Sequence, residues 1–173
     1  RGLSNNVEMS FSSTYYASPK GDMSPLANYM FSMKWRLYGD GESGWNFGLK
    51  PQLILPASRN QQIYGIGNAM LNYGVTGLAS RFWEKAELHI NANYMHAPYN
   101  ANYLMGFSDA ENRKNLYGFS VAPVWVPSPK FKFALDIGLN TNPNEPEPTL
   151  TKYAMVALIY LPTKDLELGL SYQ

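Results

Sequence analysis

Hydrophobic and polar positions alternate with a period of two along most of this chain, and the helical spacing of three and four fits almost nowhere. Between 6 and 16, Val7, Met9, Phe11 and Tyr15 fall on one face, opposite Glu8, Ser10, Ser12 and Thr14. Between 27 and 38, Tyr29, Phe31, Met33, Trp35 and Leu37 oppose Asn28, Ser32, Lys34 and Arg36. Between 45 and 55, Trp45, Phe47, Leu49, Leu53 and Leu55 oppose Asn46, Gly48, Lys50 and Gln52. The same alternation predicts strands over 68–77, 86–95, 116–126, 131–140 and 152–161, the last of them apolar on both faces. A ninth strand lies in "PTKDLELGLSYQ", where Leu166, Leu168, Leu170 and Tyr172 share a face.

The connections alternate too. Short ones are expected at 3–6, 39–44, 80–85, 127–130 and 162–165, and long ones at 17–26, 56–67, 96–115 and 141–151. Such a rhythm belongs to an up-and-down meander with tight turns at one end and long loops at the other. Within the long loops, Gly65 and Gly67 are expected to bend the chain into the next strand, and "NPNEPEPT" at 142–149 to run extended and exposed.

Composition then decides what the two faces meet. Charged residues are 16% of the chain, against ~25% for ordinary soluble domains. Aromatics reach 14%, with 13 Tyr and 4 Trp. The net charge of +1 gives no electrostatic case for nucleic acid. With no Cys there is no disulfide framework, thiolate or cysteine metal site, and neither a metal nor a cofactor is expected. No run reaches the roughly 18 apolar residues of a membrane-spanning helix.

Strands of about ten residues do match the 9–11 tilted residues that cross a bilayer. Tyr15, Tyr38, Trp45, Trp83, Trp125 and Tyr160 recur near strand ends, where interfacial girdles form. The polar face holds Asn, Ser, Thr and Gly more than Lys and Glu. The expectation is therefore all-β: an antiparallel up-and-down transmembrane β-barrel, a single domain over 1–173, in the cell outer membrane. A soluble ligand-binding barrel would reverse the faces, and periodicity alone leaves that alternative open.

"RGLSNNVEMSFSSTYY", "GWNFGLKPQLILPASRNQQIYGIGN" and "LPTKDLELGLSYQ" resemble the outer-membrane barrel family labelled for the meta-pathway of phenol degradation. Pro51, Leu53, Leu55 and Pro56 fit its central segment, while Ala57 and Ser58 replace the Thr-Gly that follows there. The resemblance implies movement of small hydrophobic compounds, and further strands beyond both ends of this stretch. An odd strand count points the same way, since bacterial single-chain barrels have even numbers, here about 10–12.

On this reading Glu8, Lys34, Arg36, Lys50, Glu87, His89, Asn91, Asn93, Asp136 and Glu167 line the lumen, with Lys132 beside them. They either bias what passes through a pore or close a narrow barrel as an ion-paired plug. His89 would be a general base only with a serine in reach, and no motif places one. His89 and His96 fall on opposite sides of their strand, which disfavours a metal site. Tyr99, Tyr103 and Phe107, in the longest loop, are lid candidates. The expected function is passive uptake of a small solute, not catalysis, with the lipid bilayer as partner. A plugged barrel anchoring an outer-membrane protein assembly is the alternative.

Overall fold

The computed structural model describes residues 2–4, 6–17, 24–63, 67, 70–98, 113–143, 145–163 and 166–172. Its strands are β1 (Gly2–Ser4), β2 (Val7–Tyr15), β3 (Leu26–Tyr38), β4 (Gly44–Ile54), β5 (Asn72–Phe82), β6 (Ala86–His96), β7 (Asn115–Ser128), β8 (Phe131–Thr141), β9 (Leu150–Thr163) and β10 (Leu166–Tyr172). They form one antiparallel sheet in sequence order, each strand paired with its chain neighbours. Among the described residues β1 and β10 are its two edges and do not pair with each other, so the sheet is not closed.

The nine expected strands are β2 to β10, and several boundaries differ. Gly2 and Ser4 pair with Glu8 and Val7, so Leu3 and Ser4 are strand where a turn was expected. β5 starts at Asn72 and continues to Phe82, its pairing with β4 and β6 running on through "LASRF" although the alternation breaks there. Arg81 would seem to end such a strand, yet its guanidinium lies over the rings of Trp45 and Trp83, 5.4 and 4.8 Å from their centroids. Cation–π contact of this kind lets a cation sit on an aromatic face. β7 likewise reaches Ser128 and β9 reaches Thr163.

The loop after β4 holds a short helix, α1 (Arg59–Ile63), which the period-two reading missed. Its start is a capping box. Ser58 N–H and Oγ both donate to Gln61 Oε1, at 3.0 and 2.9 Å, and Gln61 N–H returns to Ser58 Oγ at 3.4 Å. Gln61 Nε2 then donates to the carbonyls of Ser24 and Leu26 at 2.8 Å, fixing the loop to the start of β3. Gly67 lies in that loop, not in a strand. Its φ of +86° suits glycine, and a Cβ there would meet Ala57 and Asn28. The segment after β8 is exposed beyond the buried Asn142, and it is not extended. Arg113 gathers the carbonyls of Asn142, Glu145 and Glu147 at 2.8–2.9 Å and folds it back.

The two faces of the sheet are buried unequally, and in the reverse of the usual sense. Phe11, Trp35, Phe47, Tyr117, Trp125, Ile137 and Leu170 are all exposed, Phe11 at 60% and Trp125 at 59%. The opposite face is sheltered at Ser32, Asn46 and Ser120, which are 6–7% exposed, and open at Glu8, Ser10, Lys34 and Asn93. Ala27, Ala57 and Val124 are the buried apolar residues among those described. β9, apolar on both faces in sequence, is oriented by its register. Val156, Leu158 and Tyr160 pair with Leu135, Phe133 and Phe131 on the exposed side, leaving Tyr153, Met155, Ala157 and Ile159 on the sheltered one.

Without an apolar core, cohesion comes from the ladder and from cross-strand pairs. Phe11 and Phe31 are directly opposed, their rings 4.9 Å apart. Tyr94 and Tyr117 are opposed at 5.3 Å, Trp125 and Phe133 at 5.6 Å, and Phe131 and Tyr160 at 5.0 Å. Each such pair contributes about 0.5–1.5 kcal/mol beyond the area it covers.

Close backbone approach at Gly74 gives a direct test of the ladder. A Cβ there would collide with the Tyr94 carbonyl oxygen, a backbone atom that cannot swing away. Gly74→Ala should lower stability by about 1–3 kcal/mol, as overpacking does. Gly169→Ala, with no atom within 4 Å of the added Cβ, should be nearly neutral. Urea unfolding of both variants beside the parent checks this.

Candidate functional site

The sheltered polar face is the candidate site, and the register orders it into rows. Near the short-turn end, Asn46, Ser80 and His89 are successive partners across β4, β5 and β6. One row further up, Gly48, Leu78, Asn91 and Ser120 align across β4 to β7. Beyond that come Lys50, Thr76, Asn93, Gly118 and Asn140. Small residues separate the polar ones, so side chains two strands apart can meet.

Glu87 and Lys132 do so. Lys132 Nζ lies 2.8 Å from Glu87 Oε1, although β7 runs between their strands. The partners of Glu87 and its neighbours on β7 include Val124 and Ala122, which leave the path clear. Glu87 Oε2 is 3.2 Å from His89 Nε2, and His89 Nδ1 is 2.9 Å from Ser80 Oγ. The Phe82 ring stands edge-on to the imidazole at 5.8 Å. Elsewhere Asn91 Nδ2 donates to Ser120 Oγ at 3.2 Å, Ser10 and Ser32 share a 2.6 Å bond, and Tyr153 OH donates to Asp136 at 3.4 Å.

A serine is thus in reach of His89, which sequence motifs did not place. Ser80 became visible only when β5 was carried past the expected turn. The backbone beside this serine–histidine–carboxylate relay is engaged elsewhere, however. Ser80 is paired on both sides, with Asn46 and with His89, so its stretch of backbone is committed to the ladder. Acyl transfer needs donors aimed at a developing oxyanion. Lys132 also neutralises the carboxylate that would orient the imidazole. The constellation reads as a polar network that fixes β5, β6 and β8 together.

The second half of the face is organised differently. Glu8 stands opposite Lys34 across β2 and β3. Ser32 opposite Gln52 and Trp35 opposite Leu49 set the β3–β4 register, which brings Lys34 opposite Lys50. Neither lysine forms an ion pair or hydrogen bond with a described residue, and Glu8 forms none either. Arg36 Nε donates to Asn6 Oδ1 at 3.2 Å, and its Nη1 to the Asp40 carbonyl. A cleft of about 350 Å³ opens here, lined by Glu8, Lys34, Arg36, Ser80, Leu78 and Phe82 among others.

Of the expected lumen residues, Glu8, Lys34, Arg36, Lys50, Glu87, His89, Asn91, Asn93 and Asp136 lie in strands on one alternating face of the sheet. The structure joins Glu87 to His89, and leaves Lys34 and Lys50 in a separate group. Glu167 is in β10, but its side chain lies outside the described residues, as do Tyr99, Tyr103 and Phe107 entirely.

The turn that closes the cleft, Gly39 to Ser43, is held by Asp40. Its Oδ1 accepts from the N–H groups of Glu42 and Ser43 at 2.8 Å, and its Oδ2 from the Ser43 hydroxyl at 2.6 Å. Gly39 and Gly41 supply the positive φ values of 92° and 88° that the turn requires. The Ser43 hydroxyl above all, with those backbone donors, holds the Asp40 carboxyl down at about 2, from an ordinary 3.8. Since the folded value is the lower one, the turn's contribution is present above the ordinary value and is lost as pH falls toward about 2. A carbon-13 titration should place the Asp40 midpoint near 2, and Ser43→Ala should move it upward toward 3.8.

No family model matches the chain, and no curated protein matches it.

Proposed function

We propose that this sheet is the wall of a transmembrane β-barrel in a bacterial outer membrane, and that its polar face lines a path for passive movement of small solutes. The observation that carries the reading is the inverted burial. Large apolar side chains from β2 to β10 stand exposed while serine and asparagine are sheltered. Full burial of a Leu, Ile or Phe is worth roughly 1.5–3 kcal/mol, and each of these, about half exposed, forgoes part of that in water. Acyl chains remove that cost.

Two further features support it. All four tryptophans, Trp35, Trp45, Trp83 and Trp125, lie toward the short-turn end of the sheet. Tyr73, Tyr94 and Tyr117 lie toward the other end. On β7, Tyr117 and Trp125 are separated by eight positions, about 27 Å along a strand at ~3.4 Å per residue. Tilted, that span fits the ~25 Å apolar band between the aromatic girdles of such barrels. Closure follows from the same physics. An open edge in lipid leaves unpaired N–H and C=O groups, each costing several kcal/mol. The resemblance to the phenol-degradation barrel family agrees with a small hydrophobic solute.

Planar-bilayer recording tests the transport reading. Insertion of the full chain should give discrete conductance steps, and extraction from native membranes should require detergent. A protein that enters bilayers and never conducts is the plugged anchor instead. Release by salt alone would mark a soluble barrel and end the membrane reading.

A further inference from the structure

We infer that Lys34 and Lys50 form a binding site for a small organic anion with an apolar body, such as a monocarboxylate. The inference deepens the transport reading by naming the class of solute, and it rests on that reading for how the solute arrives.

The argument begins with a local cost. Two like charges directly opposite on neighbouring strands destabilise a sheet. Lys34 and Lys50 occupy such positions, with Lys50 half-buried and Thr76, not an acid, as its partner on β5. The polar face has acids that could have answered them. Glu87 is instead spent on Lys132 and His89, and Asp136 lies across the sheet beside Tyr153. Glu8 faces Lys34 from the outer side without pairing to it. Among the described residues neither lysine is ion-paired with an acid, and a cationic pair in that state suits an anionic ligand.

The cleft states the rest of the ligand's chemistry. Lys34, Arg36 and Glu8 line one side, Leu78 and Phe82 line the same space from β5, and Lys50 stands next to Lys34 just outside that lining. Those two residues interrupt the polar face, since their neighbours on it are Thr76 and Ser80. Its volume of about 350 Å³ falls within the usual 300–1,000 Å³ of small-molecule sites. A carboxylate would meet Lys34 at the edge of the cleft, with Lys50 beyond it, while its hydrocarbon lies against Leu78 and Phe82. Neither an inorganic anion nor an uncharged hydrocarbon uses both halves.

The test is calorimetric titration of the full chain in lipid nanodiscs with hexanoate, hexanol and hexylammonium. Hexanoate should bind at least tenfold more tightly than either of the others. Lys34→Gln with Lys50→Gln should weaken hexanoate at least tenfold, while raising the thermal stability of the ligand-free protein by removing the repulsion. Lys34→Arg with Lys50→Arg should retain binding. Equal affinity for hexanoate and hexylammonium, or undiminished binding by the glutamine double variant, overturns the inference. So does a fall in ligand-free stability in that variant, which would make the lysines structural. Bilayer recording on the same preparation separates the two claims. Conductance without hexanoate binding leaves transport standing and removes this site. Hexanoate binding without conductance supports the site and removes transport.

Discussion

The hydrogen-bond ladder that joins the strands in sequence order is the interaction on which the rest of this molecule depends. A soluble sheet leans on an apolar core, and here the buried side chains are mostly small or polar. What remains is backbone pairing, reinforced by directly opposed aromatic rings on the exposed face. The net worth of a backbone hydrogen bond in water is only about 0.5–1.5 kcal/mol, because water competes for the same groups. In hydrocarbon that competition vanishes, and the same ladder becomes obligatory. The proposed membrane setting would therefore strengthen the interaction this fold relies on and relieve the exposure it otherwise suffers.

Register converts that ladder into a functional surface. A slip of one residue would send the polar-face residues of the slipped strand, such as Lys34 or Lys50, to the apolar side. With the observed pairing, the polar face divides into two regions of different character. Around β6 to β8, Glu87, His89, Ser80 and Lys132 satisfy one another and tie nonadjacent strands together. Around β3 and β4, Lys34 and Lys50 are left facing each other beside a cleft with an apolar wall. One region is built for rigidity, and the other leaves charge available to a ligand.

Much of this was legible in sequence because a period of two survives any tertiary arrangement. The faces of β2, β3, β4, β6 and β8 follow directly from their alternation, and so does the side on which the candidate residues of those strands fall. The failures have physical causes. β5 was ended at Gly77 with a turn at 80–85, because Arg81 looks like a turn residue until Trp45 and Trp83 are seen around it. β9 carried no alternation to read, and only its pairing with β8 oriented it. α1 is too short for helical periodicity, although Ser58 and Gln61 spell its capping box. The opposition of Lys34 to Lys50 is a matter of register between strands, which no single strand's pattern contains.

The central claim is that the exposed apolar face meets lipid and the sheltered face meets water. The chain has no cysteine, so single spin labels can be placed one at a time along β8, from Lys132 to Leu139. In bilayers, collision with oxygen should peak at Phe133, Leu135, Ile137 and Leu139. Collision with a water-soluble nickel complex should be greater at Lys132, Ala134, Asp136 and Gly138. A period of two with those phases is the predicted result. A reversed phase, or labels that all meet the nickel complex equally, would contradict the account.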